Sequence, residues 1–145
     1  MLTLSNPELL RSQLYINGEW VGADNGATMP VFNPATKAKI IEIPNAGAAE
    51  TRRAIEAADV AFQSWKNVTA KERSAVLKRW FQLIMANQAD LAQLMTAEQG
   101  KPLAESSGEV AYGASFVEWF AEEGRRVYGD TIASNNPTQR IITLK

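Results

Sequence analysis

The side chains that carry most enzyme chemistry are absent from this sequence. None of its 145 residues is cysteine or histidine. The chain itself therefore offers no thiol nucleophile, no Cys/His zinc site, no imidazole base and no Ser-His-Asp triad. Carboxylates, lysines, tyrosines and hydroxyls remain as the groups that could take part in catalysis.

Glutamates are concentrated near the end of the chain. Glu109, Glu118, Glu122 and Glu123 include spacings at which two carboxyl groups of one helix could act as acid and base. A run of glutamates more often forms a hydrated or ion-paired helix face, because glutamate is seldom buried. We expect this second role, and the sequence predicts no catalytic residue and no metal ligand.

Two further features invite a ligand. Four aromatic residues recur at the spacing of one helix face: Tyr112, Phe116, Trp119 and Phe120. We expect them to be buried in the core, together with Trp65 and Trp80, because aromatic side chains remove large apolar areas from water. Lys101, between Gly100 and Pro102, could contact phosphate. A helix break with a hydrated lysine explains it equally well, and the chain has no glycine-rich phosphate-binding motif.

Strands are predicted in the first 45 residues. Asn17-Gly18 is typical of a type I′ hairpin turn between residues 14–16 and 19–21. A second turn is predicted at Asn25-Gly26. Asn33-Pro34 marks a third turn, between strands at residues 28–32 and 38–43. An antiparallel region ending near Pro44 follows from this pattern.

Helices are predicted after residue 45. Apolar residues recur at helical spacing from Ile55 to Trp65. A capping box begins the next helix at Thr69, a break is predicted near residues 87–90, and Gly100 is a helix stop. The last helix covers residues 103–123, with Gly124 as a candidate left-handed residue after it.

A final strand is predicted over residues 140–145. It could pair with the early hairpins, or be one arm of a hairpin whose other arm is missing.

Charge and composition exclude some partners. Fifteen Lys and Arg against sixteen Asp and Glu give a net charge of -1 without a basic cluster, so no nucleic-acid partner is expected. The apolar runs are far too short for a membrane span, and no secretory signal opens the chain. A cysteine-free chain is compatible with a reducing compartment, and we expect a cytoplasmic protein.

Several segments resemble a known family. Residues 14–20, followed by residues 31–36, are similar to the opening of the aldehyde dehydrogenase superfamily. Residues 96–105 resemble its Glu-x-Gly-Lys-Pro segment. Residues 115–123 and 128–132 are close to the succinate-semialdehyde dehydrogenase branch. The resemblance extends from about Leu14 to Lys145.

The resemblance implies an oxidoreductase that converts succinate semialdehyde to succinate with NADP or NAD. In this family a cysteine thiolate attacks the aldehyde, an asparagine amide helps hold the oxyanion, hydride passes to nicotinamide, and a glutamate activates water. Glutarate semialdehyde is the alternative substrate, and a non-catalytic interaction module is the alternative function. Members are homodimers or homotetramers.

The resemblance also implies an N-terminal portion of an α/β enzyme. The family's cysteine, general base and cofactor-binding strands normally lie beyond the position of Lys145, so we expect this chain alone to be inactive and to bind no cofactor. Residues 1–45 match hairpins of the bridging, or oligomerisation, region. Residues 46–132 match the helices that flank the nucleotide-binding sheet, and residues 133–145 match a loop and the first strand of a truncated bridging hairpin.

One set of substrate contacts is implied by alignment on residues 128–132. Gly108, Tyr112 and Phe116 then line the wall of the substrate tunnel, one helical turn apart. The Tyr112 hydroxyl could bind the carboxylate of a substrate. Packing in the core remains the alternative role for these residues.

Overall fold

A computed structural model describes residues 2–144 of the chain. The elements, in chain order, are a 3-10 turn (Pro7–Leu9), β1 (Leu14–Ile16), β2 (Glu19–Val21), β3 (Thr28–Phe32), β4 (Lys39–Pro44), α1 (Ala48–Trp65), α2 (Ala70–Ala86), α3 (Gln88–Gln99), α4 (Leu103–Glu123), β5 (Thr131–Ile132) and β6 (Ile141–Ile142). The strands of this region form three two-stranded antiparallel sheets, each from consecutive strands. Within residues 2–144, no helix is both long and apolar enough to cross a membrane.

The predicted hairpins are confirmed. Asn17 and Gly18 both have positive φ, 52° and 84°, as a type I′ turn requires. They connect β1 and β2, which pair from Leu14 opposite Val21. The strands β3 and β4 pair antiparallel around the Asn33 turn, and β4 ends at Pro44 as expected.

Local hydrogen bonds explain where the helices begin and end. At the start of α2, the Thr69 hydroxyl accepts the Glu72 N–H and the Glu72 carboxylate accepts the Thr69 N–H, which confirms the capping box. Asn87 separates α2 from α3, as predicted. The sequence shows no side-chain cap before α1, and there the Glu50 carboxylate accepts the Gly47 N–H at 3.0 Å.

The left-handed role expected for Gly124 is wrong. Gly124 has φ −57° and stays in the right-handed region. The chain continues to turn, because the Arg125 N–H donates to the Glu122 carbonyl and the Arg126 N–H to the Glu123 carbonyl. The conformational freedom of glycine is therefore not used at this position.

The final strand has a partner that neither expectation included. Ile141 pairs with Ile132, and Ile142 with Thr131, so β6 forms a hairpin with β5. A strand of two residues such as β5 leaves no periodic pattern in the sequence, which is why the arm was not predicted. The expected strand also included Lys145, which lies outside the described residues.

The packed centre of the molecule lies among α2, α3 and α4. Its buried apolar residues are small: Ala92, Val110, Ala114 and Ala121. Small side chains allow helix backbones to approach closely, and they leave the large residues on other faces. Trp65 and Trp80 are 42% and 54% exposed, so the prediction that they are buried in a core formed by these residues is wrong.

Candidate functional site

Helix α4 has two apolar faces of different character. Ser106, Val110, Ala114 and Ala121 point towards α2 and α3 and are buried. They are spaced by one or two helical turns, so they lie on one inward-facing stripe. The large aromatic residues of α4 lie on the other side of the same helix. The helix therefore packs through its small residues and displays its aromatic ones.

Three polar contacts hold α4 in this orientation. The hydroxyls of Ser106 and Thr96 are 2.8 Å apart, across the contact between α3 and α4. The Gln88 amide donates to the carbonyl and hydroxyl of Ser107, at 3.0 and 3.1 Å. Lys101 forms an ion pair with Glu109, so it is not simply the hydrated lysine that the sequence indicated.

The outward face of α4 is exposed, so the prediction that the aromatic stripe packs in a core formed by these residues is wrong. The exposed fractions are 65% for Tyr112, 46% for Phe116, 61% for Trp119 and 58% for Phe120. A shallow groove of about 610 Å³ runs along this face, lined by Phe116, Trp119 and Phe120 together with Ser115 and two glutamates. Aromatic spacing revealed the stripe, but the direction it faces depends on which side of α4 packs.

Three residues expected in the tunnel wall lie on this outward face. Gly108, Tyr112 and Phe116 follow one another at four-residue spacing, and all three are exposed. The rings of Tyr112 and Phe116 meet edge to face, with centroids 4.8 Å apart and an interplanar angle of 84°. No other part of the described chain lies within 4 Å of the place a Gly108 side chain would occupy. Together they form a surface with open space above it.

The glutamates of α4 are largely paired with cations, as expected. Glu122 lies 3.6 Å from the Lys78 ammonium, Glu123 pairs with Arg126, and Glu109 pairs with Lys101. These pairs stabilise the surface by modest amounts because they are exposed. Across residues 2–144, no group of three acidic side chains is placed to hold a metal ion.

A dinucleotide cofactor does not fit the residues that are present. The pyrophosphate of such a cofactor binds at the carboxyl ends of parallel strands, whereas the sheets of residues 2–144 are all antiparallel pairs. A cleft of about 350 Å³ beside α4 is lined by Lys78, Arg125, Arg126 and Tyr128. It also contains Glu122, and carboxylates already bind two of its three cations.

Two buried carboxylates, Glu50 and Asp90, were not predicted from the sequence. Glu50 is 5% exposed and accepts the Asp24 N–H at 2.7 Å, which fixes the turn after β2 to the start of α1. These backbone donors hold the pKa of Glu50 below its usual value. Asp90 is 4% exposed and accepts the N–H groups of Ser5 and Asn6. An acid in the first turn of a helix is common, so neither position carries a distinctive signal.

The amino-acid sequence matches a known protein family over most of its length. Residues 20–145 match the Aldehyde dehydrogenase family. The chain belongs to the aldehyde dehydrogenase family. The resemblance noted from residues 14–20, 96–105 and 115–123 is thereby confirmed, and the helices and small sheets correspond to the N-terminal region of the family fold.

Similar relatives include semialdehyde dehydrogenases. The chain is 60% identical over 144 residues to glutarate-semialdehyde dehydrogenase of Pseudomonas putida, and 53% identical over 144 residues to the NADP-dependent succinate-semialdehyde dehydrogenase of Escherichia coli. Each alignment covers 99% of this chain and 30% of the relative. The chain therefore spans about a third of the length of the relatives it matches.

A solved structure of a semialdehyde dehydrogenase also has the fold of this chain. The crystal structure of succinate-semialdehyde dehydrogenase from Burkholderia pseudomallei superposes with a TM-score of 0.91 at 56% identity. It is matched over 97% of this chain and 29% of its own. The exposed outward face of this aldehyde dehydrogenase chain thus belongs to a fold whose larger part consists of other residues.

Proposed function

We propose that these residues are the N-terminal part of an NAD(P)-dependent aldehyde dehydrogenase that oxidises succinate semialdehyde to succinate. Identity of 53–60% to semialdehyde dehydrogenases over nearly the whole chain supports this. Glutarate semialdehyde is the alternative substrate, because relatives of both kinds are similar to the chain. Both substrates are short aldehydes with a carboxylate at the far end.

The outward face of α4 is the part of this chain proposed to meet the substrate. Gly108 leaves space, and Tyr112 and Phe116 supply an apolar wall. The Tyr112 side chain is 65% exposed, so its hydroxyl is free to donate a hydrogen bond to the substrate carboxylate. Apolar walls with a few placed polar groups are typical of small-molecule sites.

The chemistry itself is proposed to come from residues outside this chain. A thiolate, a general base and the cofactor site belong to the full-length enzyme, which would use NADP or NAD and work as a homo-oligomer. A cytoplasmic location would keep the thiol of such an enzyme reduced. The cofactor preference can be measured directly by comparing kcat/KM for NADP and NAD.

An aldehyde panel tests the substrate proposal. The full-length enzyme is assayed with succinate semialdehyde, glutarate semialdehyde, betaine aldehyde and a long-chain aldehyde. We expect the highest kcat/KM with succinate semialdehyde. A preference for betaine aldehyde or the long-chain aldehyde would contradict the proposal, and a preference for glutarate semialdehyde would select the alternative.

Two variants test the role of α4. Tyr112→Phe removes only the hydroxyl and should raise KM for the carboxylated aldehyde about tenfold with little change in kcat, because a hydrogen bond to a charged group is lost. The matched control is Tyr128→Phe, a second exposed tyrosine that lies beside the cationic cleft. Equal KM values for Tyr112→Phe and the wild type would remove Tyr112 from the site.

A further inference from the structure

The first described residues form an N-terminal strap, residues 2–13, with little structure of its own. Its regular element is the three-residue turn Pro7–Leu9. Leu2, Leu4, Leu9 and Leu10 are half-buried, while residues 11–13 are exposed. A turn of this length is not stable in isolation, because a single turn gains few hydrogen bonds for the backbone freedom it loses. Something outside the strap must hold it.

Asp90, in the first turn of α3, is the polar group that holds the strap. Its Oδ1 accepts the Ser5 N–H at 3.0 Å, and its Oδ2 accepts the Asn6 N–H at 2.7 Å. Both carboxylate oxygens are thus engaged by backbone 84 and 85 residues away in sequence. The carboxylate is buried, so water competes little for these bonds.

Asn6 connects Asp90 to the rest of the strap through hydrogen bonds. Its side chain accepts the Glu8 N–H at 3.2 Å, and its carbonyl accepts the Leu9 N–H at 3.2 Å. Asn6 is therefore both the residue that Asp90 fixes and the cap of the turn. Apart from the contacts of Ser5 and Asn6 with Asp90, to which the Ser5 side chain also hydrogen-bonds, the hydrogen bonds described for residues 2–13 lie within the strap. Arg11 is also stacked 4.9 Å from the Trp20 ring centroid.

We propose that the strap is a releasable element. The Asp90 carboxylate holds it closed, and it opens as one unit when the hydrogen bonds from Ser5 and Asn6 to that carboxylate break. Five strap amides are hydrogen-bonded: two to Asp90, and those of Glu8, Leu9 and Leu10 within the strap. If Asp90 holds the unit through Asn6, all five amides lose protection together. Opening uncovers the half-buried leucines of the strap and the surface of the molecule beneath them.

Hydrogen exchange of the full-length protein tests this proposal. Asp90→Asn keeps the size of the side chain and removes its charge and one acceptor oxygen. We expect exchange in peptides from residues 2–13 to accelerate about 10- to 100-fold at all five amides, as the loss of charge-assisted bonds predicts. Faster exchange at Ser5 and Asn6 alone, or no change, would overturn the proposal.

A matched control uses the other buried carboxylate. Glu50→Gln makes the same chemical change where a carboxylate accepts the Asp24 and Gly47 N–H groups. It should accelerate exchange around residue 24 and leave the strap as in the wild type. Strap exchange that also rises in Glu50→Gln would mean that loss of any buried carboxylate loosens the region, and that Asp90 has no special role.

The wild type supplies a test that does not depend on a folded variant. Exchange of strap amides is measured in increasing, sub-denaturing urea and compared with that of amides near Ala114 in α4. The proposal predicts that the strap exchanges through a local opening with little dependence on urea, while α4 follows larger unfolding. Equal urea dependence at both places would show that the strap does not open separately.

Discussion

Gly100→Ala is expected to be strongly destabilising for two independent reasons. Gly100 ends α3 with φ +78°, a left-handed conformation that alanine adopts at a cost of about 1–2 kcal/mol. The Pro34 Cγ also lies 2.8 Å from the position of an added Cβ. Because the proline ring is rigid, moving it should cost about 1–3 kcal/mol more. The free energy of unfolding should therefore fall by about 2–5 kcal/mol.

The same substitution in α4 should have the opposite sign. Gly113 lies in the middle of the helix, and nothing is within 4 Å of the place its Cβ would occupy. Alanine is favoured over glycine in a helix by about 1 kcal/mol. Gly113→Ala is therefore the matched control and should raise the free energy of unfolding.

Urea unfolding of the chain, at a concentration low enough for it to be monomeric and followed by far-UV circular dichroism, measures both changes. The double variant Pro34→Ala/Gly100→Ala separates the two causes, since removing the proline ring relieves the steric conflict and leaves the backbone strain. We expect a favourable coupling of about 1–3 kcal/mol in the double-mutant cycle. The reasoning fails if Gly100→Ala unfolds like the wild type, or if Pro34→Ala recovers nothing.

Three further outcomes are expected. Thr69→Ala removes the cap of α2 and should lower the free energy of unfolding by about 1 kcal/mol in the same urea experiment. Ser5 and Asn6 donors hold the pKa of Asp90 below its usual value. The ionised Asp90 carboxylate therefore stabilises the closed strap fully above the unfolded pKa of about 3.9. This stabilisation is lost as pH falls through the lower folded pKa of Asp90, so exchange of the strap amides should accelerate only in strong acid. The isolated chain should self-associate in light scattering through the exposed α4 aromatics.

Each of these three predictions can be contradicted by a specific measurement. Thr69→Ser keeps the hydroxyl and should unfold like the wild type, and a loss as large as that of Thr69→Ala would show that the cap is not the cause. Strap exchange that keeps the same acid dependence in Asp90→Asn would assign the titration to another group. A monodisperse monomer with cooperative thermal unfolding would show that the helices and hairpins close a sufficient core unaided.

Local structure could be predicted from the sequence because it depends on interactions between near neighbours. Asn17-Gly18 specifies its turn by tolerating positive φ, Thr69 and Glu72 cap a helix three residues apart, and Gly100 stops one. The residues of the α4 aromatic stripe were likewise found from spacing alone. The family resemblance came from the order of short segments along the chain.

What the tertiary structure decided is the direction in which those elements face. Helix α4 has a small-residue stripe and an aromatic stripe, and periodicity cannot say which one packs; close contact with α2 and α3 selects the small one. Asp90 looks like an ordinary helix-start acid until the fold brings Ser5 and Asn6 to it. Contacts between residues 84 positions apart depend on the path of the whole backbone, which cannot be predicted from the residues that neighbour Asp90 in sequence.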